Sequence, residues 1–214
     1  MSNDSLAGQI YDVFSLEEIE NIKKMLKFLP DQKNPSQKKD ILNNGFKEGD
    51  PVWPMIKKLV MNRINDALPI KVSKLSVGMQ LIARDPYGIH TDYNNKGDTG
   101  PGMALLIPLH VKSAADIPSF TVIFDQQFIG GNTIYEYAAT NPDIPATNAD
   151  EIWHLLPQRD EPHLSKYLSV KLLAEWHIGS LIYWDRKLLH SSDDFRLKGI
   201  TEKSALVLFT SFDA

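Results

Sequence analysis

The 214-residue chain contains no cysteine and carries a formal charge of -4 with an isoelectric point near 5.9. Disulfides, thiolate metal sites and a cysteine nucleophile are excluded, so any metal must be held by His, Asp or Glu. The acidic balance argues against a nucleic-acid partner, and apolar runs such as residues 103–107 are far too short for a membrane span. No basic segment precedes an apolar one over residues 1–10, so no signal peptide is expected and a cytoplasmic location is.

Ser15 and Glu18 have capping-box spacing, and Ile19, Ile22, Leu26 and Leu29 follow at helical intervals, which predicts a helix over 15–29 stopped by Pro30. Residues 31–49, with Lys33, Lys38 and Lys39, read as a polar, solvated loop. Asp50 as N-cap and Pro51 at the first helical position open a second helix. Its apolar stripe is Ile56, Leu59, Val60, Ile64 and Leu68, and it ends before Pro69. From Leu75 the period becomes two, with Leu75, Val77, Met79, Leu81 and Ala83 on one face of a half-buried strand. Further short strands are predicted at 103–110, 120–124, 180–183 and 205–212. Residues 126–171 are broken by Pro142, Pro145, Pro157 and Pro162 and read as an insertion with a short helix at 148–156. The fold class expected is mostly β with flanking helices, a sheet sandwich or barrel backed by N-terminal helices. One domain spans 1–214, with helical support over 1–70 and the β core over 71–214.

His90 and Asp92 are two apart on an extended segment, so imidazole and carboxylate project to one side and can reach one ion. The pair follows a strand and the turn-forming Pro86, Tyr87 and Gly88, a usual place for a site. His190, just beyond an apolar strand and the turn at 185–187, is the candidate third ligand. Two histidines and one carboxylate on one face of an octahedron leave three positions open, as in non-haem iron(II) sites. Lys203 opens the last strand; if that strand pairs with the one carrying His190, its ammonium lies near the metal and can anchor a dicarboxylate. Glu175 and His177 form a rival pair at strand spacing, while His154 and His163 in the insertion are expected in solvent.

The order His90-x-Asp92, His190, then a basic residue, with the local stretches 87–93 and 179–182, resembles the Fe(II)- and 2-oxoglutarate-dependent oxygenases. It is similar in style to the small prolyl-4-hydroxylase-like members, over residues 75–212. The resemblance implies a double-stranded β-helix, a jelly-roll barrel. It also implies Fe(II) on His90, Asp92 and His190, with 2-oxoglutarate and O2 as co-substrates. The reaction implied is hydroxylation of a C–H bond of a small-molecule or peptidyl substrate, releasing succinate and CO2. Lys203 would bind the distal carboxylate, with Arg196 as the other candidate, and Gln80 or Tyr87 would make the second contact. Lys203 lies thirteen positions beyond His190, Ser204 is adjacent to it, and Asp85 stands where prolyl hydroxylases often carry tyrosine. A monomer or homodimer is expected, with 31–49 and 126–171 selecting substrate or closing over it. A cupin-like metal enzyme independent of 2-oxoglutarate and a non-catalytic binding protein on the same barrel are the alternatives.

Overall fold

A computed structural model describes residues 6–29, 41–92, 102–114, 116–127 and 149–211. Pro30, Tyr93, residues 31–40, 97–101 and 128–148, with Pro142 and Pro145, lie outside them, so the readings placed there are not described. The elements are β1 (Ala7–Ile10), α1 (Leu16–Leu26), β2 (Ile41–Lys47), α2 (Trp53–Ala67), β3 (Lys74–Ala83), β4 (Met103–Ser113) and β5 (Phe120–Gln127). There follow α3 (Ala149–Ile152), β6 (Val170–Glu175), β7 (Leu181–Asp185), β8 (Leu188–Ser192) and β9 (Ile200–Ser211), with short 3₁₀ turns between them.

A six-stranded antiparallel sheet has the order β1-β7-β4-β9-β3-β2, and a three-stranded one the order β6-β5-β8. Alternation along β4, β7 and β9 divides the large sheet between two cores. Leu105, Ile107, Leu181, Leu206 and Leu208 face α1 and α2. Ala104, Leu106, Ile182, Trp184 and Val207 face Ile123, Ala174 and Leu188 of the small sheet. This is the jelly-roll, double-stranded β-helix arrangement, with a space enclosed between its sheets. Among the described residues no helix is long and apolar enough to cross a membrane.

The capping box of α1 is formed: Glu18 N donates to Ser15 Oγ at 3.2 Å and Ser15 N to Glu18 Oε2 at 2.9 Å. Helices of 11 and 15 residues are marginal alone. Burial of Ile19, Ile22, Leu26, Ile56, Val60 and Ile64 against the sheet, about 1.5–3 kcal/mol for each, holds them in place.

Four expectations are revised. Residues 41–47 are a strand rather than a loop, because β2 pairs with β3 along its whole length, from Ile41↔Ala83 to Lys47↔Val77. The support over 1–70 therefore supplies two sheet strands, β1 and β2, besides its helices. The N-cap of α2 is Val52; Asp50 instead closes the preceding turn, its Oδ2 accepting from Lys47 N at 2.7 Å. A bulge between Leu75 and Val77 splits the expected single face of β3. Leu75 packs toward the helices, Val77 is exposed, and Met79 and Leu81 face the interior between the sheets. The described part of 126–171 packs Trp153, Leu156, Leu164 and Leu168 on Val122 and Phe124 of β5.

Candidate active site

The chain beyond β3 runs back along β8 in extended form. His90 N donates to His190 O and His190 N to His90 O, each at 2.9 Å. This reciprocal pair of backbone bonds sets the two residues directly opposite each other, and an antiparallel pair sends both side chains to one face. Their ring centroids are 4.2 Å apart. Asp92, two residues on from His90, returns to the same face, and its Oδ2 lies 3.4 Å from His190 Nε2. One ligand atom from each of His90, Asp92 and His190 falls within 4.8 Å of the others.

Both imidazoles are oriented by main chain. His90 Nδ1 lies 2.7 Å from Gly88 O and His190 Nδ1 3.1 Å from Leu188 O. A proton on each Nδ1 satisfies those carbonyls and leaves both Nε2 lone pairs for a metal. Burial lowers the His90 pKa to about 4, helped by His190 and opposed by Asp92 and the Gly88 carbonyl. The imidazole is therefore neutral and able to ligate near pH 7. Thr91 Oγ1 donates to Arg186 O at 2.7 Å and Arg186 Nη2 to Asp92 O at 3.2 Å, tying the β7–β8 turn to the segment that carries Asp92.

These three side chains open into a cavity of about 380 Å³, walled by Met79, Leu81, Leu106, Val207 and Phe209 and by the indoles of Trp176 and Trp184. Tyr87 also lines it, its ring 4.4 Å from that of His90. The other sequence candidates lie elsewhere. Gln80 alternates with Met79 and Leu81, so it turns away from the cavity and accepts from Asn44 Nδ2 at 3.5 Å. Arg196 is exposed on the 3₁₀ turn before β9 and pairs with Asp85. Glu175 and His177 border a separate surface groove, where the His177 ring packs edge-on to Tyr11. His154 and His163 are exposed.

Lys203 is placed differently from the expectation. β9 pairs with β3 and β4, not with β8, so the lysine reaches the interior from the opposing sheet. Its side chain is 1% exposed. Nζ donates to Ser119 Oγ at 2.8 Å, lies 3.5 Å from Asp193 Oδ1, and sits over the rings of Trp176 at 4.0 Å and Phe195 at 4.8 Å. Asp193 Oδ2 also takes Lys198 Nζ at 2.8 Å. Burial lowers the Lys203 pKa to about 8, against the pull of Asp193.

Sequence reasoning missed Trp176, Trp184, Asp193 and Arg186. Trp184 shares its parity on β7 with Ile182, so alternation could have placed it on the interior face. No comparable signal exists for Asp193, whose partners come from three separate segments.

No protein-family model and no curated protein matches the sequence. Solved structures do match the fold. A prolyl-4-hydroxylase from Pseudomonas putida is 8% identical, with 97% of this chain and 93% of that one covered and a TM-score of 0.52. An oxidoreductase of the 2OG-Fe(II) oxygenase family from Burkholderia pseudomallei is 13% identical, with coverage of 98% and 85% and a TM-score of 0.53. HygX from Streptomyces hygroscopicus, solved with nickel, 2-oxoglutarate and hygromycin B bound, is 14% identical, with coverage of 98% and 83% and a TM-score of 0.54. At these identities the likeness is one of architecture: the chain folds as the double-stranded β-helix of solved 2OG-Fe(II) oxygenases.

Proposed function

We propose that the chain is an Fe(II)- and 2-oxoglutarate-dependent dioxygenase that hydroxylates a C–H bond of a small-molecule or peptidyl substrate. The reciprocal His90–His190 pairing carries this reading, because it delivers two imidazoles and the Asp92 carboxylate to one point at the cavity. The donor set suits Fe(II): two nitrogens and one carboxylate oxygen form the facial triad of non-haem iron sites. The 3.4 Å between His190 Nε2 and Asp92 Oδ2 is close to the roughly 3 Å expected of neighbouring ligands on bonds of about 2.1 Å. Among the described residues no other His, Asp or Glu joins the group, which leaves the remaining positions for a chelating co-substrate and O2. Bound together, iron and 2-oxoglutarate would activate O2, which is the oxidant: one oxygen atom would go into succinate as CO2 is lost and the other into the substrate C–H bond.

The chain's own residues orient and enclose. Gly88 O and Leu188 O fix the imidazole tautomers, and the apolar walls keep bulk water from the reacting face. The chain acts as one domain in this reading, with residues 149–168 packed beside the small sheet. The test is an anaerobic titration of the protein with Fe(II) and then 2-oxoglutarate, following the visible charge-transfer band of a chelated oxo acid. A saturable band that His90→Ala abolishes supports the assignment. Tight iron binding without the band would favour a metal enzyme of the same barrel that uses no 2-oxoglutarate. That second reading draws on one observation, the covered and charge-compensated state of Lys203.

A further inference from the structure

We infer that Trp176 decides which oxo acids the cavity accepts: its indole both lines the cavity and covers the Lys203 ammonium, so a distal carboxylate reaches that cation only by displacing the ring. The inference rests on the oxo-acid reading above.

An ammonium has three N–H bonds to satisfy. Ser119 Oγ accepts at 2.8 Å and Asp193 Oδ1 lies at 3.5 Å. The remaining approaches are occupied by two aromatic faces, Trp176 at 4.0 Å and Phe195 at 4.8 Å. Of these two rings only Trp176 borders the cavity, and Lys203 itself does not. Parity along β9 nevertheless sends Lys203 to the same side as Ala205, Val207 and Phe209, the interior face. The cation is thus directed toward the cavity and separated from it by one side chain.

Trp176 is latched in that position. Its Nε1 donates to Thr121 Oγ1 at 2.8 Å, and its main-chain N donates to Ser119 O at 2.8 Å. A 2-oxo acid with no second carboxylate can chelate at the triad and leave the latch closed. One with a second carboxylate exchanges the π face for a charge-assisted hydrogen bond to Lys203 and breaks the Trp176–Thr121 bond.

The experiment loads wild-type protein and Trp176→Leu with Fe(II) anaerobically and titrates each with 2-oxoglutarate and with pyruvate. Affinity is read from the visible band, and the indole environment from fluorescence and near-ultraviolet circular dichroism. Expected for the wild type is an indole signal with 2-oxoglutarate and none with pyruvate. In Trp176→Leu, 2-oxoglutarate should bind about tenfold tighter, the latch and cation–π contact being gone, with pyruvate affinity unchanged within about twofold. Binding of 2-oxoglutarate without an indole signal in the wild type, or an equal effect of the substitution on both acids, overturns the inference and leaves the oxo-acid reading standing. If neither acid binds the iron-loaded wild type, the reading itself fails and the inference with it. Because Trp184 also lines the cavity, the wild-type arm is repeated in Trp184→Phe, where an indole signal with 2-oxoglutarate reports Trp176 and its absence overturns the inference even if Trp176→Leu does not fold.

Discussion

Lys203 and Asp193 face each other across 3.5 Å with both side chains 1% exposed, and Asp193 is shared with Lys198 at 2.8 Å. One carboxylate therefore balances two ammonium groups, that of Lys203 fully buried and that of Lys198 at the edge of the buried region. Removing one partner of a buried pair costs more than the pair contributes, because the remaining charge stays buried without compensation. Asp193→Asn is expected to lose about 3–5 kcal/mol in urea unfolding. Lys203→Met should cost less, since Asp193 keeps Lys198, and Asp193→Asn combined with Lys203→Met should be more stable than Asp193→Asn alone. A double variant no better than Asp193→Asn would show that the lysine's charge is not what the carboxylate offsets.

The same lysine gives the protein a dependence on alkaline pH. Its folded pKa of about 8 lies below the ordinary 10.5, chiefly through burial. Between those values the unfolded chain binds more protons than the folded one, so unfolding free energy rises with pH across that window. Below pH 8 the cost of burying the charge is fully present. Relative to Lys203→Met, the wild type should gain stability as pH is raised from 7.5 to 10. Parallel stability curves for the two proteins would mean that Lys203 titrates as it does in the unfolded chain.

Local signals were legible in the sequence where the structure uses them locally. Ser15 and Glu18 form both bonds of the capping box that their spacing announces. Ser15→Ala is therefore expected to cost about 1 kcal/mol, measured by thermal or urea unfolding, and Ser15→Asp should recover most of it. His90 and Asp92 share a face for an equally local reason, the two-residue period of extended chain. What the sequence concealed depends on distant partners. Asn43, Asn44 and Gly45 have little strand propensity and become β2 only because β3 offers them a full register. The bulge at Leu75–Val77 and the cover over Lys203 leave no periodic trace, since the first is set by pairing with β9 and the second by Ser119, Trp176, Asp193 and Phe195.

Gly102 stands where the chain enters β4, and a Cβ there would clash with the Thr210 carbonyl oxygen. Backbone cannot withdraw from such a contact as a flexible side chain can. Its carbonyl also accepts from Arg186 N at 3.2 Å, and Arg186 in turn donates to Asp92 O. Gly102→Ala should therefore act twice, lowering stability by about 1–3 kcal/mol as an overpacked site does and weakening Fe(II) binding through the displaced turn. Gly45→Ala is the control, because no atom of the described residues lies within 4 Å of a Cβ at that position. Equal iron affinity in both variants would show that the β7–β8 turn does not set the position of Asp92.

Trp184 packs its ring 4.8 Å from that of His190, and its buried Nε1 has no hydrogen-bond partner among the described residues. An N–H without an acceptor adds nothing to stability, whereas the ring's apolar area and its contact with the imidazole do. Trp184→Phe keeps a ring against His190 and removes the unsatisfied donor, so its unfolding free energy should stay within about 1.5 kcal/mol of wild type. Trp184→Ala should lose about 3–5 kcal/mol and leave a void beside the imidazole. The consequence for the site follows from the order of these losses. His190 has its Nδ1 held by Leu188 O in either variant, but only the alanine variant frees the ring to tilt about that bond. Fe(II) affinity should therefore change little in Trp184→Phe and fall about 10–100-fold in Trp184→Ala, the range for loss of a group that orients a metal ligand. If the two variants bind iron equally well while differing in stability, the main-chain bonds to His190 suffice to orient it and Trp184 serves the core alone.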